Sequence, residues 1–245
     1  GQLNIVDPAT LVVICEDQTK EYDGTALSHN SIASRSGALI EYSTDSTSWS
    51  PTAPSITNVA QSPLHVYVRA TNSNYEPAVC EYTLTINKKP LVITIKDTME
   101  YNGTALVTDY TEATAEGLVD GDALTAGAYT TTDDNAGSYT NGAGTSTVTT
   151  SFATTNGIDN YEVTYVVTQI ITKKPITITA ASDEKTYDGT PLTNGGYDIT
   201  SGSLVSGDAI VSVAVTGTVT NPDTVSNPAS SAVIKRGTEN VTGNY

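Results

Sequence analysis

The chain has 245 residues, and 27 Asp and Glu against 11 Lys and Arg give it a formal net charge of −16. This charge disfavours nucleic acid and anionic membrane surfaces as partners, because both require a basic footprint on the protein. No apolar run approaches the ~20 residues that span a bilayer, so we predict no membrane insertion.

One short phrase occurs three times and defines the organisation of the chain. Glu21–Leu27 (EYDGTAL) returns as Glu100–Leu106 (EYNGTAL) and as Thr186–Leu192 (TYDGTPL). Its tyrosines are 79 and then 86 positions apart, and the pair Asn-Tyr, which ends at residues 75, 161 and 245, keeps a similar spacing. Several markers in one order at one spacing indicate tandem repeats of about 80–86 residues.

The repeat spacing predicts three small domains rather than one or two larger ones. We expect repeat 1 at residues 7–88, repeat 2 at 89–173 and repeat 3 at 174–245. Residues 1–6 are expected to be the closing strand of an absent upstream repeat, and repeat 3 is expected to lack its own closing strand. Since the sequence shows no signal peptide, we expect a fragment of a longer protein.

The predicted strands follow the same order in each repeat. A β-rich segment opens each one, at Leu11–Ile14, Leu91–Ile95 and Ile176–Thr179. Within the phrase, glycine after Asp or Asn suits a tight turn with positive φ. A run of alternating polarity then closes the repeat. One face of this run carries Cys80, Tyr82, Leu84 and Ile86 in repeat 1, and Tyr161, Val163, Tyr165 and Val167 in repeat 2.

The middle of the repeats separates two subtypes. Gly117–Leu124 (GLVDGDAL) in repeat 2 matches Ser203–Ile210 (SLVSGDAI) in repeat 3, and these two repeats form the second subtype. Repeat 1 carries Ile40–Trp49 instead, which is interpreted as a hairpin. The best helix candidate, residues 112–126, is rejected because glycines and threonines interrupt it. The sequence therefore predicts an all-β fold, a tandem array of three immunoglobulin-like β-sandwich repeats.

The linkers between repeats are short. Asn87–Pro90 and Thr172–Pro175 both contain Lys-Lys and end on proline. Proline lacks a backbone donor and restricts the residue before it, so each linker is expected to be extended. Such linkers favour an elongated rod with limited hinging over flexibly tethered domains.

These phrases resemble a known family. Tyr-Asp-Gly-Thr-x-Leu, the closing Asn-Tyr strand and the Lys-Lys-Pro junction are similar to the Tyr-Asp-Gly repeats and related MBG-type modules of bacterial cell-surface adhesin-like proteins. The middle of repeat 1, Tyr42–Trp49 with Val66–Asn72, looks like bacterial immunoglobulin-like modules. The resemblance covers nearly the whole chain. It implies an extracellular location at the bacterial cell surface, a spacer or adhesive role, no cofactor and no catalytic residue.

The two cysteines, Cys15 and Cys80, both belong to repeat 1 and fall on its predicted first and last strands. Two cysteines in a secreted setting usually pair, which makes them a disulfide candidate. The alternative is a pair of buried free thiols.

Few other residues suggest chemistry. His29 and His65 lack the pattern of a nucleophilic triad or a zinc site, so no catalytic or metal-binding residue is predicted. Acidic pairs such as Asp120 and Asp122 are interpreted as solvated turns in preference to calcium ligands.

The aromatic residues leave alternatives open. The phrase tyrosines, Tyr22, Tyr101 and Tyr187, are interpreted as packing residues whose hydroxyls bond to backbone, in preference to sugar-stacking residues. Trp49 is the candidate ligand-binding residue, for stacking on a sugar, and packing within a hairpin or core is the competing interpretation.

Two functions follow from these patterns. The favoured one is a non-catalytic stalk that projects a binding region from a bacterial surface. The alternative is a module that itself binds glycan, mucin or a host protein. The fragment is expected to be monomeric, with one exception: Gln2–Val6 of one molecule is expected to complete repeat 3 of a neighbour by strand addition, giving head-to-tail contacts.

Overall fold

The computed structural model describes residues 10–141 and 146–245. In these residues the regular structure consists of β-strands and short 3-10 helices, with no α-helix. The strands are β1 (Val13–Ile14), β2 (Gln18–Glu21), β3 (Leu27–Ser28), β4 (Ile32–Ala33), β5 (Leu39–Ser43), β6 (Ser55–Ile56), β7 (Leu64–Asn72), β8 (Tyr75–Asn87), β9 (Lys89–Glu100), β10 (Val107–Asp109), β11 (Thr114–Glu116), β12 (Leu124–Thr131), β13 (Gly137–Tyr139), β14 (Ser146–Thr154), β15 (Tyr161–Thr172), β16 (Thr177–Ala180), β17 (Tyr197–Ser201), β18 (Asp208–Val215), β19 (Ala229–Arg236) and β20 (Glu239–Asn240). The 3-10 helices are η1 (Val59–Gln61), η2 (Ile158–Asn160) and η3 (Thr242–Asn244).

The described chain divides into two compact units. The first contains the described residues through Ile93, with Ala115–Ala126 and Phe152–Thr164. The second contains the described residues of Thr94–Thr114, Gly127–Ser151 and Tyr165–Tyr245. The division passes through β9, β11, β12, β14 and β15, so the units do not follow the repeat spacing. The predicted repeat boundaries stay a prediction. The proposed strand at residues 2–6 lies outside the described residues.

The first unit contains a four-stranded sheet in the order β2-β8-β7-β5. Strands β7 and β8 form an antiparallel hairpin, β5 pairs antiparallel with β7, and β2 runs parallel to β8. Two small antiparallel pairs, β1 with β4 and β3 with β6, complete the strands of residues 10–87. An isolated bridge between Tyr42 and Ser50 closes the hairpin that was predicted for residues 40–49.

The core of the first unit follows the alternation predicted from the sequence. In β8 the buried positions are Tyr82, Leu84 and Ile86, while Cys80 on the same face is half-buried. The facing positions of β7 are equally enclosed, at Val66, Val68 and Ala70. Each fully buried Val, Leu or Ile side chain stabilises the fold by about 1.5–3 kcal/mol.

The second unit contains an antiparallel pair, β16 with β17, and a three-stranded sheet in the order β18-β19-β20. A hydrophobic cluster of buried residues consists of Tyr101, Leu106, Tyr139 and Ile171. Val205 and Tyr245, which belong to repeat 3, pack against this cluster of repeat 2 residues. Successive repeats therefore share apolar contacts within this unit.

A glutamine occupies the core at a position where the strand alternation would suit an apolar residue. Gln169 in β15 is fully buried. Its Nε2 donates to the hydroxyl of Thr108 at 2.7 Å and to the carbonyl oxygens of Leu106 and Tyr129, and its Oε1 accepts from Ser146 Oγ at 2.9 Å. A buried amide needs such partners, because each unpaired polar group costs about 1–3 kcal/mol.

The fold class is confirmed. Repeat 2 contributes a four-stranded sheet, β11-β9-β15-β13, and a three-stranded sheet, β10-β12-β14, as an immunoglobulin-like β-sandwich of short strands requires. The rejected helix at residues 112–126 is replaced by β11, a turn and the start of β12.

Candidate functional site: the junctions between successive repeats

The Tyr-Asp/Asn-Gly-Thr phrase forms the same turn in all three copies. In the first, Asp23 Oδ1 accepts hydrogen bonds from the backbone N–H of Thr25 at 2.8 Å and from its hydroxyl at 2.7 Å. The same two bonds recur at Asn102–Thr104 and Asp188–Thr190. The intervening glycine has a φ of 77° at Gly24, 81° at Gly103 and 78° at Gly189. This left-handed conformation favours glycine, and it fixes the direction of the tyrosine that precedes the turn.

The turn presents its tyrosine to the following repeat in two of the three copies. At the first junction, which joins repeats 1 and 2, the ring of Tyr22 lies edge-on to the ring of Tyr161, with centroids 5.4 Å apart. The Tyr161 hydroxyl donates to Asp122 Oδ2 at 2.7 Å and accepts from the backbone N–H of Val119 at 3.2 Å. All of these residues belong to the first unit. The aromatic pair is thus held in place by the Leu-Val-Asp-Gly-Asp turn of repeat 2.

The second junction, which joins repeats 2 and 3 within the second unit, repeats this geometry. Tyr101 lies edge-on to Tyr245, with centroids 5.6 Å apart. The Tyr245 hydroxyl donates to Asp208 Oδ2 at 2.7 Å and accepts from the backbone N–H of Val205 at 2.8 Å. Equivalent residues of the repeated phrases therefore make equivalent contacts.

At both junctions, the asparagine of the Asn-Tyr pair binds the preceding repeat. Asn160 Oδ1 accepts from the backbone N–H of Val59 at 2.9 Å, and its Nδ2 lies 3.3 Å from Asn58 Oδ1. At the second junction, Asn244 Oδ1 accepts from the N–H of Ala136 at 2.8 Å and Nδ2 donates to Asn135 Oδ1 at 2.7 Å. Both side chains are almost fully buried, at 4% and 3% exposure. Each pair therefore contributes polar and aromatic contacts to the same neighbour.

The Lys-Lys-Pro linkers are anchored in the same way at both junctions. Lys89 Nζ lies 3.1 Å from Glu21 Oε1, and Lys174 Nζ lies 2.8 Å from Glu100 Oε1. Both glutamates immediately precede a phrase tyrosine. Exposed ion pairs of this kind contribute little stability. They place a linker lysine beside the phrase turn at each junction.

One cation distinguishes the second junction from the first. Arg236 donates through Nε to Asp208 Oδ1 at 2.8 Å, and through its two terminal nitrogens to Asp134 and to the hydroxyl of Tyr101, both at 2.7 Å. The Asp208 side chain has no solvent exposure. It also accepts from the hydroxyls of Tyr101 and Tyr245. The carboxylate is therefore surrounded by donors from two repeats.

These contacts determine the ionisation of the group. Burial alone would raise the pKa of Asp208, but the hydrogen bonds from Arg236, Tyr245 and Tyr101 outweigh it and lower that pKa below its usual value. Its hydrogen bond with Asp208 raises the pKa of Arg236. Burial raises the pKa of Tyr245 to about 12. The carboxylate and the guanidinium are both charged at neutral pH.

In two of the three copies the phrase tyrosine is buried, as expected of a packing residue. Tyr22 and Tyr101 are each 1% exposed, whereas Tyr187 is 60% exposed. The hydroxyl of Tyr101 bonds to side chains and not to backbone, which differs from the expectation. At the junctions, a backbone N–H is instead accepted by the hydroxyls of Tyr161 and Tyr245, in the Asn-Tyr pairs.

The first junction can be tested by a one-atom change. Tyr161→Phe leaves the backbone N–H of Val119 and one oxygen of Asp122 without this partner. We expect a loss of about 1–3 kcal/mol in the free energy of unfolding, measured by chemical denaturation. Tyr22→Phe is the matched control, because Tyr22 contributes its ring to the same pair, and equal losses in the two variants would contradict the assignment.

The two cysteines are joined in the structure. Cys15 and Cys80 form a disulfide with a Cα–Cα distance of 6.0 Å and a sequence separation of 65 residues. The bond ties the segment after β1 to the middle of β8. Both cysteines lie within repeat 1.

Trp49 lies half-buried beside the hairpin of repeat 1. The guanidinium carbon of Arg69 is 4.3 Å from the centroid of its ring, and Arg69 Nε donates to Glu41 Oε2 at 2.8 Å. The guanidinium therefore covers one face of the indole ring. A shallow cleft next to Trp49 also includes Tyr67 and the highly exposed Val79.

The positions of the acidic residues and histidines bear on metal binding. Across residues 10–141 and 146–245, no group of three or more His, Cys, Asp or Glu is placed to hold a metal ion. His29 packs edge-on against Tyr82, and His65 Nε2 lies 3.1 Å from Glu81 Oε2. Asp122, interpreted from the sequence as a residue of a solvated turn, is instead an acceptor at the first junction. In the described part of the chain, no helix is long and apolar enough to cross a membrane.

Comparisons with known proteins add little to this description. No protein-family profile and no curated protein matches the chain. Among solved structures, the chain is similar to the Down Syndrome Cell Adhesion Molecule (DSCAM), isoform 1.30.30, N-terminal eight Ig domains. The identity is 11%, the TM-score is 0.24, and the match covers 76% of this chain and 31% of that one. A similarity of this size carries no argument about function.

Proposed function

We propose that this chain is a non-catalytic spacer of a bacterial surface protein, built from Tyr-Asp-Gly repeats and projecting a binding region from the cell. The supporting observation is the recurrence of one set of contacts at both junctions. Two tyrosines, an asparagine, an aspartate and a linker lysine meet in the same arrangement each time. The repeated phrase forms the contacts between neighbouring repeats. Such a phrase suits a protein that functions as a linear array of repeats.

The extracellular location is part of this proposal. Disulfides form and persist in oxidising environments and are rare in the cytosol. The Cys15–Cys80 bond and the acidic surface both suit a domain outside the cell.

The coupling between repeats can be measured by amide nitrogen NMR relaxation. In the unaltered chain, we expect amides of repeat 1 and of the adjoining part of repeat 2 to report one rotational correlation time. In Asn160→Ala/Tyr161→Ala, the junction contacts are lost and repeat 1 should tumble faster. Asn74→Ala/Tyr75→Ala is the matched control, because it changes the same two residue types outside both junctions. Separate correlation times in the unaltered chain would refute the spacer proposal.

A glycan-binding or host-protein-binding module is the second candidate. The observation that favours it is the half-exposed Trp49 with its adjoining apolar cleft. Against it, the Arg69 guanidinium already covers one face of the ring, where a sugar would stack.

A glycan array and a pull-down on mucin distinguish the two candidates. For a spacer, we expect no saturable binding above background in the unaltered chain. Saturable binding that disappears in Trp49→Ala and survives in Tyr67→Phe would replace the spacer with the binding module.

A further inference from the structure

The third copy of the phrase turn is formed but uncovered. Asp188 makes the same two bonds to Thr190 as its counterparts, and Lys185 Nζ lies 2.9 Å from its carboxylate. The turn is therefore as well ordered by hydrogen bonds as the first copy, in which Lys20 contacts Asp23. Yet Tyr187 is 60% exposed, against 1% for Tyr22 and for Tyr101.

The glycine of the turn gives independent evidence that the whole face is open. A Cβ added at Gly24 would lie 3.5 Å from Val119 of the next repeat, and one added at Gly103 would lie 3.0 Å from Val205. At Gly189 no atom lies within 4 Å of that position. Tyr187 and Gly189 are therefore uncovered together, on the same turn that is covered in the first two copies.

A cleft of about 360 Å³ lies beside Tyr187, with Leu192, Val219 and Asn221 among its lining residues. Together these residues form what we call the Tyr187 surface. Asn221 follows a threonine, as Asn58 does in repeat 1, so the two asparagines stand at equivalent positions. At the first junction, the side chain of Asn58 contacts the asparagine of the next repeat. The surface thus combines the phrase tyrosine, the turn glycine and an asparagine, the same three residue types that face the next repeat at the two filled junctions.

We propose that the Tyr187 surface binds a further repeat of the second subtype, joined in the same polypeptide. This inference rests on the proposed spacer function and identifies the partner that covers the Tyr187 surface. The incoming repeat brings an Asn-Tyr pair and a Leu-Val-x-Gly-Asp turn. Its tyrosine lies edge-on to Tyr187, its valine covers Gly189, and its asparagine reaches Asn221.

This junction has fewer polar contacts than the other two. Pro222 stands where Val59 and Ala136 donate their backbone N–H, so the asparagine of the incoming repeat loses that bond. Thr186 stands where Glu21 and Glu100 pair with a linker lysine, so the ion pair is also missing. The aromatic and valine contacts therefore carry the recognition.

A second copy of this chain is a poorer occupant. The Asn-Tyr pairs at residues 160–161 and 244–245 are already engaged within the chain. The remaining pair, Asn74-Tyr75, belongs to repeat 1, which lacks the Leu-Val-x-Gly-Asp turn. Within the described residues, a second copy therefore has no uncovered surface that presents an Asn-Tyr pair together with a Leu-Val-x-Gly-Asp turn.

The test uses the full chain and a version extended after Tyr245 by its own residues 162–245. This extension supplies a closing strand for repeat 3, a linker and one more repeat of the second subtype. Nitration by tetranitromethane, followed by mass spectrometry of peptides, reports the accessibility of each tyrosine. The appended copy carries Tyr187→Phe, because its own phrase tyrosine would otherwise be uncovered and would give the same peptide. We expect Tyr187 to react in the original chain, to lose its nitration in the extended chain, and to regain it when the appended copy also carries Val205→Asp.

Protection of Tyr101 shows in every sample that the second junction is intact. If Tyr187 reacts equally in both chains while Tyr101 stays protected, the proposal is wrong, and the spacer function is judged separately by its relaxation experiment. If Tyr187 of the original chain becomes protected as its concentration rises, the occupant is a second copy, which also overturns the proposal.

Discussion

Replacing both cysteines, in Cys15→Ala/Cys80→Ala, should lower the free energy of unfolding of repeat 1 by about 4 kcal/mol in the chain-entropy model. The disulfide spans 65 residues, and such a loop removes much of the freedom of the unfolded chain. Chemical denaturation, followed at amides of repeat 1 and of repeat 3, measures the effect. We expect the loss in repeat 1 alone.

The control for this prediction is a reductant. Dithiothreitol should destabilise repeat 1 of the unaltered chain by a similar amount and should leave the double-alanine variant unchanged. Two thiols titrating in the denatured, unreduced protein would show that the bond is absent.

Replacing the arginine of the second junction should have an effect of similar size. Arg236→Met keeps much of the side-chain volume and removes the charge beside Asp208, whose side chain is completely enclosed. Breaking a buried ion pair by removing one partner costs about 3–5 kcal/mol, because the remaining charge is left without compensation. Thermal unfolding of the second unit measures the loss.

A matched control is available in the first repeat. Lys20→Met removes the cation from an exposed pair with Asp23, where solvent screens the charges, and should change stability little. Equal effects at the two sites would mean that the enclosure of Asp208 has no energetic consequence.

Protonation of the Asp208 carboxylate should make the stability of the second junction depend on pH. The folded-state pKa of Asp208 is lowered, so its contribution to stability is present above the unfolded pKa of about 3.9. The contribution is lost as the pH falls through the lower folded-state pKa. Stability measured between about pH 5 and pH 2 should therefore fall less steeply in Asp208→Asn than in the unaltered chain. Identical slopes would contradict this assignment.

The sequence predicted the strands well because their signals are local. The alternation of Tyr82, Leu84 and Ile86 defines the buried face of β8, and the Asp-Gly and Asn-Gly pairs define the turns. The junctions could not be predicted in the same way, because their partners are far apart. Val59 and Asn160, for example, are separated by 101 residues and belong to different repeats.

For two polar residues, the local sequence does not predict their burial. Asp208 looks like a residue of an exposed turn, but Arg236 and two tyrosines enclose it. Gln169 stands on the inner face of its strand, where the alternation suits an apolar residue, and it bonds to four groups inside the core. In both cases the partners that make burial tolerable lie on other strands.

The matched phrases have a consequence for how such a protein can change in length. Repeat 2 presents a Tyr-Asn-Gly turn to its successor and an Asn-Tyr pair to its predecessor, and the two faces are complementary. A gene segment that encodes one such unit can be duplicated or deleted in frame, and the new neighbours already possess the residues that join them. Homologous recombination between copies would then alter the number of units in a single step without a compensating point mutation. Repeat 1 lacks the Leu-Val-x-Gly-Asp turn and is not interchangeable with the others. The order of subtypes along the array is therefore constrained more tightly than their number.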